Sequence, residues 1–124
     1  MPPQLPPYVT FDTQAPERIA PFWCDILDVE VRSTRDDGRY VMLAPSRAIG
    51  GMMLAFQRVP EPKQGKNRIH LDVLVDDLDI STKQVEALGG KWTEPGSTLE
   101  LDGFQWRVMA DPEGNEFCIM VLLA

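Results

Sequence analysis

The stretch NRIHLDVLVDDL, residues 67–78, holds the one histidine of the chain, His70, two positions ahead of Asp72. An imidazole that titrates near neutrality beside a carboxylate is raw material for general acid–base chemistry. In an extended chain residues two apart share a face. His70, Asp72 and Leu74 are therefore expected on one side, with Ile69, Leu71, Val73 and Val75 on the other. The two polar groups stand too far apart along one strand to form a tight pair by default, yet both can reach one ligand. A second strand-like run, EFCIMVLL (116–123), sets Glu116, Cys118 and Met120 on one face, opposite Phe117, Ile119 and Val121. In FQWRVMA (104–110), Trp106 shares a face with Phe104 and Val108. The β-branched-rich faces belong against helices, which leaves the mixed faces for the side away from them, where polar groups must find partners. The same residues also admit a structural reading. A histidine near a strand end often serves only as a hydrogen-bonded residue, a free cysteine packs as a small hydrophobe, and Trp106 suits a core as well as a pocket wall.

The elements that must position these residues occur twice. In the first half, YVTFD (8–12) alternates and 15–27 (APERIAPFWCDIL) reads as a helix. Pro16 suits its first turn, Glu17 complements the helix dipole, and Ile19, Phe22, Trp23, Ile26 and Leu27 form one apolar face. Strands are expected near 29–33, 39–44 and 52–59, with Asp37-Gly38 as a hairpin signal between the first two. In the second half RIHLDVLV (68–75) alternates and 78–88 reads as a helix, apolar at Ile80, Val85 and Leu88. Asp76 or Asp77 is available as its cap and Gly89-Gly90 as its stop. Strands are expected at 91–94, 104–110 and 116–123. Laying Tyr8 on His70 also lays Pro16 on Leu78, an offset of 62 in both cases. Each half is thus strand, helix, three strands. The linker VPEPKQGKN (59–67) joins them, and neither half can bury its apolar sheet face alone.

Composition narrows the function classes. The chain has 124 residues, a net charge of −7 and no strong basic cluster, which argues against nucleic acid. Lys63, Lys66 and Arg68 form the one local basic group, in a loop. The start MPPQLPPYV lacks a basic and then apolar leader, and no apolar run is long enough to span a bilayer. Cys24 and Cys118 make no disulfide framework, so a cytoplasmic protein with reduced thiols is expected. The glycine pairs at 50–51 and 89–90 lack the context of a phosphate-cradling loop. There is no GxSxG elbow, and a Ser-His-Asp triad would have to use His70.

The phrase ADPEGNEFCIMVLL adds a tight turn leading into an apolar strand at the end of the second copy. Together with PERIAPFW, KNRIHLDV and WRVMADPEGNEFC it resembles the vicinal oxygen chelate superfamily of glyoxalases, bleomycin-resistance proteins and extradiol dioxygenases. The resemblance runs from about Tyr8 to Leu122 and is closest to the small glyoxalase-like domain proteins. It implies an α+β fold of two βαβββ modules forming a cupped mixed β-sheet with the helices on its convex side. The single domain 1–124 would comprise module one (about 8–59), a linker (about 60–67) and module two (about 68–123). In metal-dependent members the ligands sit on the first and last strands of each module. Here those positions fall on Tyr8, Gln57, His70 and Cys118, with the register of the last strand of module one open by a residue or more. One histidine and one thiol suit hard, oxygen-seeking ions poorly, so a required divalent metal is disfavoured and no cofactor is expected.

Two functions follow from the resemblance. One is a metal-independent lyase, isomerase or dehydratase in which His70 is the general acid or base and Asp72 orients the substrate or tunes the histidine. The other is a sequestering protein that holds a small molecule in the cup through Tyr8, Gln57, Trp106, Glu116, Cys118 and Met120. A metal-dependent lyase or dioxygenase of the same superfamily is the further alternative. The resemblance also implies a homodimer, for which the apolar segments MMLAF (52–56) and FCIMVLL (117–123) are the candidate edges. No nucleic-acid or membrane partner is expected.

Overall fold

The computed structural model describes residues 8–123, and the chain divides into two compact units after Pro62. Each unit is α+β: one helix on one mixed sheet, with four strands in the first and five in the second. No helix among the described residues is long and apolar enough to cross a membrane.

Unit one runs β1 (Tyr8–Thr13), α1 (Pro16–Leu27), β2 (Val31–Arg35), β3 (Tyr40–Leu43), a short 3-10 turn (Arg47–Ile49) and β4 (Met53–Arg58). The sheet order is β1-β4-β3-β2, with β1 and β4 parallel and the other pairs antiparallel. Helix α1 begins on Pro16, as expected from its missing N–H, and buries Ile19, Ala20, Phe22, Trp23 and Leu27. Trp23 meets the ring of Phe11 edge-on at 5.4 Å, and Phe11 meets Phe56 at 5.5 Å, so an aromatic cluster clamps helix to sheet. The β2–β3 hairpin turns through Asp36, Asp37 and Gly38, all at positive φ, which places the Asp-Gly signal where it was expected.

Unit two runs β5 (Asp72–Leu74), α2 (Leu78–Ala87), β6 (Lys91–Trp92), β7 (Leu99–Leu101), β8 (Phe104–Ala110) and β9 (Glu116–Leu122). The order is β5-β9-β8-β6, with β7 pairing β8. Strand β7 was not expected. It folds back on β8 across Asp102-Gly103, both at positive φ, the two-residue turn that favours this dipeptide. Helix α2 is capped by Asp77, whose carboxylate accepts from Ile80 N–H at 2.9 Å, and Gly89 at φ +94° follows its end. Its buried residues are Leu78, Ser81, Thr82 and Val85, whereas Ile80 is exposed, so the expected apolar face is turned. The reason is Arg107 on β8, which needs polar partners on the docking face. Its guanidinium donates to Leu78 O (3.2 Å), Thr82 Oγ1 (2.8 Å) and Asp79 Oδ1 (2.8 Å) and lies 4.2 Å above the Trp92 ring.

Three further expectations need correction. Strand β5 is shorter than 68–75: Arg68 and Ile69 lie in a bend, and Ile69 is 82% exposed instead of facing the helix. Alternation resumes at Leu71, with Leu71 and Val73 buried and His70, Asp72 and Leu74 exposed. Strand β6 covers only Lys91–Trp92, although Thr93 still bonds Val108 O through both its N–H and its hydroxyl. Neither proposed dimer edge is an edge. Met53–Phe56 is buried in a strand flanked by β1 and β3, and β9 lies between β5 and β8.

Candidate functional site

The parallel pairing of β5 with β9 sets Asp72 opposite Cys118 and Leu74 opposite Met120. The antiparallel pairing of β9 with β8 continues both rows, to Val108 and to Trp106, and β7 adds Leu99 beside Trp106. Because paired residues share a face, the side of the sheet away from α2 carries a row Asp72–Cys118–Val108. Next to it runs an apolar row, Leu74–Met120–Trp106–Leu99. The opposite side carries Val73, Ile119 and Arg107, and Arg107 meets α2 directly. The two-residue period therefore assigned the faces of β5, β8 and β9 correctly.

His70 reaches the first row from two residues before β5. Its Nδ1 lies 4.0 Å from Cys118 Sγ, and the ligand atoms of His70, Asp72 and Cys118 all lie within 4.8 Å of one another. The imidazole and the carboxylate are exposed, while Cys118 is buried. Burial, the Asp72 charge and a hydrogen bond to that carboxylate push the Cys118 thiol up to about 11. At neutral pH the sulfur is thus a protonated donor to Asp72 rather than a nucleophile. That leaves Asp72 held by a neighbour, with the exposed His70 ring beside the same sulfur. The donor set of one imidazole, one carboxylate and one thiol is poor for Mg²⁺ or Ca²⁺ and acceptable to zinc, which tolerates three protein ligands and an open position.

Glu116, expected beside these residues, is engaged elsewhere. Its Oε1 accepts from Asn67 N–H at 3.0 Å, its Oε2 from Lys66 Nζ at 2.9 Å, and its carbonyl from Asn67 Nδ2 at 3.2 Å. The Lys66 ammonium and the Asn67 amide hold the Glu116 carboxyl below its ordinary range. Glu116 therefore ties the segment before β5 to β9, which is why residues 68–69 bend and His70 arrives at a fixed point. The turn that starts β9 is organised by buried Asp111. Its Oδ1 accepts from Glu113 and Asn115 N–H, both at 2.9 Å, and its Oδ2 from Asn115 Nδ2 at 2.9 Å, with Gly114 at φ +87°.

In unit one the register answers a question that spacing left open. Asp72 pairs Cys118, and the residue corresponding to Asp72 at the 62-residue offset, Thr10, pairs Ala55. The module-one counterpart of Cys118 is thus Ala55, which has no donor atom, and not Gln57. Tyr8 pairs Met53, while Gln57 pairs Asp12 and Tyr40, so Tyr8 and Gln57 stand four residues, roughly 13 Å, apart along the sheet. The structure does not bring them together. Leu74, placed on this face by alternation, and Leu99, which sequence reasoning missed, complete the apolar row; Leu99 follows once Asp102-Gly103 is read as a hairpin turn.

A strand, a helix and then antiparallel strands, repeated with the first and last strands of each copy parallel, define the glyoxalase and bleomycin-resistance class of fold. Residues 8–120 match the family model of the glyoxalase-like domain, and the chain belongs to that family, consistent with the vicinal oxygen chelate superfamily. No curated protein matches it by sequence. Among solved structures it is similar to a glyoxalase/bleomycin resistance protein/dioxygenase family enzyme from Burkholderia phytofirmans PsJN, with a TM-score of 0.73 and 19% identity over 94% of this chain and 97% of that one. A glyoxalase-related enzyme from Fulvimarina pelagi gives 0.70 and 17% over 95% and 87%. A glyoxalase/bleomycin resistance protein/dioxygenase from Nocardioides gives 0.69 and 14% over 99% and 85%. At these identities the likeness is one of fold.

Proposed function

We propose that the chain binds a small organic molecule on the face of unit two away from α2 and acts on it without a required metal, in a lyase, isomerase or dehydratase type of reaction. The observation that carries this reading is the meeting of His70, Asp72 and Cys118 beside the row Leu74–Met120–Trp106–Leu99. The apolar row offers a surface for a ring or chain, and Trp106 offers a stacking face. His70 exchanges the proton, and Asp72, held by the Cys118 thiol, orients the ligand's polar group. Without turnover the same surface serves sequestration, so the catalytic and binding readings differ in the histidine alone.

The test is an NMR titration of labelled protein with a panel of mono- and bicyclic aromatic compounds. A binder is expected to shift the Trp106 indole N–H and the His70 ring signals together. His70→Ala should weaken that binder or end its turnover while changing stability by no more than about 1 kcal/mol, since the side chain is exposed. Binders that leave both residues unshifted overturn the proposal. A zinc-dependent reading is favoured by one feature, the three convergent ligand atoms. The metal-free reading expects protein purified without stoichiometric divalent metal, and about one zinc per chain retained through dialysis would replace it with the zinc reading. We further propose a cytoplasmic homodimer, motivated by the exposed Leu101, Phe104, Leu122 and Leu123. Light scattering that gives a 14.0 kDa monomer at high concentration refutes it.

A further inference from the structure

Unit one holds two adjoining cavities on residues that take no part in the His70 cluster. The first, of about 450 Å³, is lined by Gln14, Arg39, Arg58, Val59 and Pro60. The second, of about 410 Å³, lies between α1 and the β2–β3 hairpin, where Ala20, Pro21, Val31 and Val41 supply an apolar lining and Glu17, Thr34 and Asp37 its polar part. Arg58 belongs to both, so a cationic mouth opens onto an apolar slot. Each volume is within the usual range for small-molecule sites, roughly 300–1,000 Å³.

The surroundings of the two arginines differ in a way that points to an anion. Arg58 is already positioned: its Nη2 donates to Gly38 O at 3.3 Å and lies 3.7 Å from Glu17 Oε2, a loose pair. Arg39 makes no ion pair among the described residues. Its guanidinium rests 5.6 Å over the ring of Tyr40, a contact that leaves its N–H edge available. Arg18, Arg35 and Arg47 likewise show no ion pair among the described residues; what sets Arg39 apart is that it lines a cavity together with Arg58. We propose that this is a second ligand site, for a small amphipathic carboxylate whose head bridges Arg39 and Arg58 and whose apolar body enters the slot beside Pro21, Val31 and Val41. Glu17 is then the internal competitor for Arg58.

Octanoate, octan-1-ol, octylamine and inorganic phosphate are the probes, titrated into the labelled full chain and read from amide and arginine side-chain signals. Octanoate is expected to shift Arg39, Arg58, Val59, Val31 and Val41 and to bind at least tenfold more tightly than the alcohol, the amine or phosphate. Arg39→Gln, an exposed change checked by an unaltered thermal transition, should weaken octanoate at least tenfold. Glu17→Gln should strengthen it. The proposal is overturned if the alcohol matches octanoate, which would make the slot merely apolar, or if phosphate does, which would make the mouth a bare anion site. It is equally overturned if Arg39→Gln changes nothing, or if octanoate shifts only residues around Trp106.

Discussion

The two units share an order of elements and fasten their helices by opposite means. In unit one the fastening is apolar: Trp23 and Phe22 on α1 are buried and stack edge-on, and Trp23 also meets Phe11 of β1. In unit two it is polar. Helix α2 buries two hydroxyl residues, Ser81 and Thr82, with Leu78 and Val85, and Arg107 binds its first turn through three groups while stacking on Trp92. The difference teaches that one topological frame tolerates either solution, provided every polar group on a docking face is answered. One group is not: the buried indole N–H of Trp92 has no partner among the described residues, and we have no physical account of it. The same contrast extends to the faces away from the helices. Unit two has His70, Asp72 and Cys118 where unit one has Tyr8, Thr10 and Ala55. Duplication supplied two equivalent places, and only one carries a histidine with a carboxylate.

The sharpest way to break the comparison is to remove each fastening. Trp23→Ala deletes a fully buried indole from the aromatic cluster and should cost about 3–5 kcal/mol. Equilibrium denaturation measures it, and a loss under about 1 kcal/mol would mean that α1 does not depend on the cluster. Arg107→Met keeps volume but removes the guanidinium's bonds to Leu78 O and Thr82 Oγ1, leaving those groups only the bond from the Thr82 hydroxyl to Leu78 O, and should cost about 2 kcal/mol. Its ion pair with Asp79 adds little, because Asp79 is 80% exposed. Added salt should therefore leave the Arg107→Met deficit nearly unchanged. A deficit that vanishes at high salt would assign the fastening to charge rather than to hydrogen bonds.

Such fastenings explain what the sequence could show. Helix α1, with its hydrophobes at spacings of three and four, is read directly from pattern, because apolar docking leaves a periodic trace. Helix α2 leaves a weak trace: its docking face includes Ser81 and Thr82, and the residue that requires them, Arg107, lies 25 positions away from Thr82. Ile80, the most hydrophobic residue of its first turn, is outside. The candidate site divides in the same manner. Alternation brought Asp72, Cys118, Trp106 and Met120 to one face, since a two-residue period survives in any paired strand. The diversion of Glu116 to Lys66 and Asn67, and the register that makes Ala55 the counterpart of Cys118, depend on pairings between distant segments. Neither has a local signature.

A smaller effect separates backbone from side chain in the turn before β9. Gly114 adopts φ +87°, and a Cβ there would meet only Lys63 Cδ at 4.0 Å, so space is not the constraint. Gly114→Val should cost about 1–3 kcal/mol from backbone strain alone. Gly50 in the turn before β4 also has positive φ and open space around it, so Gly50→Val is the matched control in unit one. Similar losses would show that both turns are held by conformation, and an unchanged melting temperature at Gly114 would show that the Asp111 network can carry the turn without it.

The smallest effect on stability should come from the site itself, and it has a defined sign. The Cys118 thiol is pushed up to about 11 by burial, by the Asp72 charge and by its hydrogen bond to that carboxylate. Between pH 9 and about 11 the folded chain therefore holds a proton that the unfolded chain releases, so stability falls as pH rises through that window. Asp72→Asn removes the charge and weakens the acceptor, which should bring the thiol back down and flatten the fall. Iodoacetamide reads the same change chemically, since only the thiolate reacts. Cys24, itself raised by burial and by Glu30, is first replaced by alanine so that one thiol reports. At pH 9 alkylation of Cys118 should then be faster in the Asp72→Asn variant than in the chain that keeps Asp72, at nearly equal stability. Equal rates would break the link between carboxylate and thiol, and leave His70 without the neighbour that holds Asp72 in position.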